Sequence, residues 1–124
     1  RKPSKEGTPI GAALRPDTVY GKTVRVRSAH GTLFITLNEW GELSKLQEVF
    51  VVCGKAGGCA HAAYEAMARL ISMALRSGVA TSEVVSQLKG ITCCPFVDEG
   101  ISYLSPIDAV AKAIEGAEAK AKGV

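Results

Sequence analysis

At 124 residues the chain fits one domain with a modest core, and its 47% apolar and 22% charged residues are ordinary for a soluble globular protein. No stretch reaches the ~18 uninterrupted apolar residues of a membrane helix, and the charged opening Arg1 to Glu6 has no apolar run behind it, so it is not a secretory signal. A net charge of +3 identifies no partner: Arg1, Lys2, Lys5, Lys22, Arg25 and Arg27 lean to the N-terminal third with Tyr20 the only aromatic near them, which reads as a solvated basic surface or a phosphate-contacting patch.

The chain does not open on Met and reads as a processed product, a cut fragment or the tail of something longer. It carries Cys53, Cys59, Cys93 and Cys94, too few for a secreted disulfide scaffold. Without an export signal the expected compartment is the reducing cytoplasm, where metal ligation or thiol chemistry outranks structural disulfides.

Residues 1 to 19 hold three of the five prolines and no steady period, as a linker or arm would. Thr23-Val24-Arg25-Val26-Arg27 alternates apolar with charged residues and predicts a half-buried strand. His30-Gly31 makes a turn, and Thr32 to Asn38 alternates again with Leu33, Ile35 and Leu37 on one face. A polar loop containing Gly41 leads to a third strand, Leu46 to Cys53. Short connections make these an antiparallel meander.

The period then lengthens. From Cys59 to Ser77, apolar residues at Ala60, Ala63, Met67, Leu70, Ile71, Ala74 and Leu75 predict a long helix, with His61, Glu65, Arg69, Ser72 and Arg76 on the polar face and Gly78 at the C′ position. Thr81 is the expected N-cap of a short helix through Leu88, ended by Gly90. Residues 91 to 105 read as irregular, and Pro106 opens a last helix with Asp108 in its first turn. Ala117 to Val124 is expected to fray. The fold class is therefore α+β: a three-stranded antiparallel meander, then a long, a short and a C-terminal helix, with the domain over residues 20–116 between the arm and a tail over 117–124.

Chemistry centres on the thiols. Gly54-Lys55-Ala56-Gly57-Gly58-Cys59 lies between a strand and the long helix, but its Lys comes too early for a phosphate loop. Cys59 falls near a helix N-terminus, where partial positive charge favours thiolate; it reads as a metal ligand or reactive thiol, or as a small buried residue. Of Cys93 and Cys94, neighbours that rarely both bind one ion, Cys94 before Pro95 is the expected ligand, unless both are core residues. His30 is a turn residue, exposed or ligating, and His61 lies on the polar face of its helix. Cys53 and Cys59 do not have the close C-x₂-C spacing of a strong zinc knuckle. No Ser-His-Asp order, paired carboxylates or phosphate loop marks an autonomous enzyme.

Six blocks together resemble one family. They are Arg15-Pro16-Asp17-Thr18-Val19-Tyr20-Gly21-Lys22-Thr23, Gly31 to Glu39, Glu48 to Val51, Gly54 to Ala60, Arg69 to Val79 and Gln87-Leu88-Lys89-Gly90-Ile91-Thr92-Cys93-Cys94-Pro95. In order and spacing they are similar to the TSCPD domain, over residues 15 to 115. That domain occurs at the C-terminus of adenosylcobalamin-dependent (class II) ribonucleotide reductases and as short stand-alone proteins. The resemblance implies a metal, zinc, held by scattered cysteines, or thiol exchange. His30 stands where the family often has Cys, and Leu104-Ser105-Pro106-Ile107-Asp108 stands where the naming motif would supply another.

A four-ligand zinc site by this resemblance uses His30, Cys59 and Cys94 with Cys53, Cys93 or an outside group; a redox relay uses Cys59 with Cys93 or Cys94. The implied role is a non-catalytic accessory domain for deoxyribonucleotide synthesis, with the cobalamin and the radical-bearing thiol on a larger catalytic barrel and not on this chain. Its partner is that barrel or a second copy of itself. The other expected role is a stand-alone module binding protein or nucleic acid.

Overall fold

The computed structural model describes residues 14–41, 44–53 and 58–121. The first thirteen residues of the expected arm, residues 42–43 of the expected hairpin connection, residues 54–57 and the last three residues of the expected tail lie outside that range.

Three strands, β1 (Tyr20–Ser28), β2 (Gly31–Trp40) and β3 (Lys45–Cys53), form an antiparallel sheet in the order β1-β2-β3. Alternation decides its faces. Val24 pairs with Ile35 and Val26 with Leu33, while Leu33, Ile35 and Leu37 pair with Cys53, Val51 and Val49, so these apolar side chains share one buried face. The pairing shifts after Asn38, leaving Gln47 extra in β3. This bulge lets Leu46 and Val49 both reach the core, which strict alternation forbids for residues three apart.

The helices α1 (Gly58–Arg76), α2 (Thr81–Leu88) and α3 (Pro106–Ala121) complete the core. Helix α3 lies against all three strands and against α2, with Ala109, Val110, Ala111 and Ile114 buried. Its small alanines allow a close approach to the sheet. The helix runs on to Ala121, past the expected start of fraying at Ala117.

Helix α1 lies along β3. Its buried face is Tyr64, Ala68, Ile71, Ser72 and Leu75, rotated from the expected stripe: Ala60 and Ala63 are exposed, and Leu70 is 62% exposed. The cause is Ser72. Its hydroxyl accepts from Val49 N–H at 2.9 Å and donates to Val49 C=O at 3.0 Å, satisfying two backbone groups on the free edge of β3. That polar requirement turns a serine inward and a leucine outward. The helix closes at Gly78 as expected, with Val79 N–H returning to Ala74 C=O.

Two further expectations are corrected. The N-cap of α2 is Ala80, without a side-chain cap, and Thr81 is buried as the first helical residue. The stretch 91–105 also holds a second, two-stranded sheet, β4 (Phe96–Asp98) paired with β5 (Ile101–Tyr103). Glu99 and Gly100 both have positive φ (49° and 79°), the backbone of a two-residue type I′ hairpin turn. No helix among the described residues is long and apolar enough to cross a membrane.

Ser72→Ala should therefore cost about 1–3 kcal/mol in urea denaturation, because it strands two buried backbone groups. Leu70→Ser, on the outer face, should change stability by less than about 0.5 kcal/mol.

Candidate metal centre

The tight turn between β1 and β2 carries His30. Its backbone N–H donates to Ser28 Oγ at 3.1 Å, and the Ser28 hydroxyl donates to Gly31 C=O at 2.6 Å. Gly31, at φ 116°, adopts a backbone that side-chain-bearing residues rarely take. The thiol of Cys53, buried at the end of β3, lies 3.6 Å from the His30 carbonyl oxygen and donates to it.

Cys93 and Cys94 come from a segment distant in sequence, between α2 and β4. Three devices hold it. The first is helix α3's N-terminus, where Ser105 caps: its Oγ accepts from Asp108 N–H at 2.9 Å and donates to Ile91 C=O at 2.5 Å. The second is Asp108 itself, 1% exposed, which accepts from Gly90 N–H and Leu104 N–H, both at 3.0 Å, and pairs with Lys112 at 3.2 Å. The third is the β4–β5 hairpin, pinned to β1 by Asp98, which accepts from Arg27 N–H at 3.1 Å and faces its guanidinium at 3.4 Å. Cys93 N–H also donates to Leu104 C=O at 2.9 Å.

The result is a convergence. Ligand atoms of His30, Cys93 and Cys94 all lie within 4.8 Å of one another, and all three residues are exposed. Cys94 holds φ 39° immediately before Pro95, a left-handed conformation that costs a non-glycine residue of order 1–3 kcal/mol. Tyr64, buried on α1, borders the same thiols: burial pushes its phenol above the ordinary value, and the neighbouring Cys53, Cys93 and Cys94 push it further. It therefore stays a protonated donor beside the cluster.

Of the four metal ligands expected from sequence, His30 and Cys94 are brought together and Cys53 lies against the His30 backbone. Cys59 sits exposed in the first turn of α1, outside this three-residue group. Cys93 joins the group instead. His61, assigned to the polar face, is half-buried, and its Nδ1 has no hydrogen-bond partner among the described residues.

One imidazole and two thiolates form a donor set that suits zinc. At zinc–sulfur bonds of about 2.3 Å, tetrahedral thiolates stand roughly 3.8 Å apart, so the three groups need close only slightly to share an ion. The donor set and its spacing fit the metal that the sequence resemblance implies.

Sequence reasoning assigned Asp108 a role only at its helix dipole and gave Ser105 none. Ser105-Pro106-Ile107-Asp108 nonetheless carries the signal: a capping serine, proline at the first helical position and an acid at the third.

A three-stranded meander backed by helices, with an exposed histidine–cysteine cluster that could hold a metal ion at its hairpin end, defines a small α+β domain. The family model described as the TSCPD domain matches residues 3–118, nearly the whole chain, and the protein belongs to that family. No curated protein and no solved structure matched the chain.

Replacing Asp108 tests how the cysteine segment is held. Burial alone would raise the Asp108 carboxyl, but the backbone N–H groups of Leu104 and Gly90 and the Lys112 ammonium outweigh it and leave it below its usual value. A lowered native value means the contribution is complete above the unfolded value near 4 and fades as pH falls below it. Asp108→Asn should destabilise by about 1–3 kcal/mol at neutral pH, and the gap from the parent protein should narrow in denaturation at acid pH.

Proposed function

We propose that this chain is a non-catalytic accessory domain that holds one zinc ion, serving adenosylcobalamin-dependent ribonucleotide reduction in the cytoplasm. The carrying observation is the convergence of His30, Cys93 and Cys94 from segments far apart in sequence. His30, Cys93 and Cys94 would supply three ligands, and Cys53, its thiol 3.6 Å from the His30 carbonyl oxygen, would offer a fourth. The bound ion would tie the β1–β2 turn to the segment after α2, and its chemistry here would be structural.

Membership of the TSCPD family supports the reductase association, because the resemblance places such domains at the C-terminus of these enzymes. The partner in this reading is the catalytic barrel, or a second copy of the domain. Cobalamin and nucleotide belong to the barrel.

The purified chain should carry one zinc by elemental analysis, with Cys93 and Cys94 protected from alkylation and Cys59 labelled readily. Chelation should expose both thiols and lower the melting temperature. His30→Ala should lose the metal while keeping the far-UV spectrum of the zinc-free parent. Affinity should weaken as the solution is acidified, since protons compete for the same ligand atoms. Absence of metal, with a readily formed disulfide between Cys59 and Cys93 or Cys94, would replace this reading with the thiol relay.

A further inference from the structure

A three-stranded sheet has two edges, and this molecule treats them differently. The β3 edge is closed: α1 lies along it, and Ser72 takes both backbone groups of Val49. The same bonds fix which groups of β1 point out of the sheet. Val49 points away from β2, so its partner Leu37 points toward β1, and Lys22, the partner of Leu37, points back at β2. Gly21, Thr23 and Arg25 therefore turn their N–H and C=O groups outward. Arg27 keeps the same parity, because its N–H is the one that Asp98 takes from outside the sheet.

At the Arg27 end this edge already holds an acidic element of the same chain. Asp98 accepts the Arg27 N–H at 3.1 Å, and the carboxylates of Asp98 and Glu99 lie 3.4 and 3.8 Å from its guanidinium. Over residues 21–25 the edge is open. The outward groups of Gly21, Thr23 and Arg25 have no hydrogen-bond partner among the described residues, and all three residues are exposed.

Charge decides what such an edge accepts. Strand β1 holds Lys22, Arg25 and Arg27 and no acid. Lys22 and Arg25 are exposed, lie on opposite faces by alternation, and have no ion pair among the described residues. Glu39, the one acid paired with β1 across the sheet, stands opposite Tyr20, outside the open stretch. A second copy pairing through its own β1 would gather the cations of both strands in one ribbon with no acid between them, and like charges across strands are destabilising. A strand of opposite charge meets no such conflict.

We propose that the edge of β1 at residues 21–25 binds an acidic segment of a partner protein as an added strand. Its main chain bonds to the outward groups of Gly21, Thr23 and Arg25. Two acids three positions apart, and so on opposite faces of the added strand, stand across from Lys22 and Arg25. Main-chain bonds supply affinity and the alternating side chains supply selectivity, as in other strand additions. The inference is independent of the metal centre.

The test is fluorescence anisotropy of the full chain with a labelled peptide of about nine residues, valines and threonines with two glutamates three positions apart, at low and high salt. Expected are binding that weakens with salt and no comparable binding when lysines replace the glutamates. Methyl groups on one alternate set of peptide nitrogens should cost roughly ten-fold or more, because they block the bonds to β1, while the other set should be tolerated. Lys22→Glu combined with Arg25→Glu should weaken binding by roughly five-fold to a hundred-fold. Both positions are exposed, so far-UV circular dichroism should match the parent.

Four results would overturn the proposal. One is no binding at low salt, and another is equal binding of the lysine peptide. A third is binding that methylation of either set leaves unchanged, which is charge attraction without strand pairing. The fourth is a parent dimer by light scattering that Thr23→Pro, which removes an outward N–H, converts to monomer; a second copy then holds the edge.

Discussion

The buried carboxylate of Asp108 holds both ends of the segment that carries Cys93 and Cys94. One oxygen takes the N–H of Gly90, just after α2, and the other takes the N–H of Leu104, just before α3. Between those clamps the chain leaves α2, passes the vicinal thiols and turns through the β4–β5 hairpin. Two backbone donors are satisfied by one buried carboxylate, and Lys112, one turn further along α3, balances its charge. The position of the cysteines is thus set by a helix N-terminus rather than by the cysteines themselves.

The sheet shows the same economy. Strand β2 is central, so its alternating residues divide the molecule. Leu33, Ile35 and Leu37 are sealed in the core, with α3 packed against their strand, while Phe34 and Thr36 lie on the other face. The turn that starts β2 delivers His30 to the cysteine cluster. One strand therefore supplies the core, a half-exposed phenylalanine on the other face and the approach of a metal-ligand candidate, with no loop longer than a tight turn between them.

How much of this was readable in the sequence follows from the length scale of each signal. The three long strands and three helices carry periods repeated over many residues, and all six were legible. The β4–β5 hairpin was not, because three residues are too few to show alternation, although Glu99-Gly100 between short apolar runs is a hairpin turn signal in itself. The face of α1 was misjudged because hydropathy ranks Leu70 above Ser72. Only the free edge of β3, invisible to a helical period, explains why a hydroxyl belongs inside. At the site, each thiol was visible as a candidate, but which of them meet depends on contacts between distant segments. Cys93, ranked behind Cys94 as a ligand because adjacent cysteines seldom share an ion, lies with Cys94 and His30, and Cys94 holds a left-handed backbone there.

The Arg27–Asp98 clasp joins positions 71 residues apart in the chain. Contacts of that span form late in folding, because a long loop must close before they contribute. The meander and α1 can collapse from neighbouring segments, whereas the histidine and the vicinal thiols meet only once the C-terminal half has docked. The expected order makes the cluster an end-point of folding and not a nucleus. A metal captured by the complete site would therefore act on the unfolding rate, as a latch on a structure already formed, with little leverage over how quickly that structure is reached.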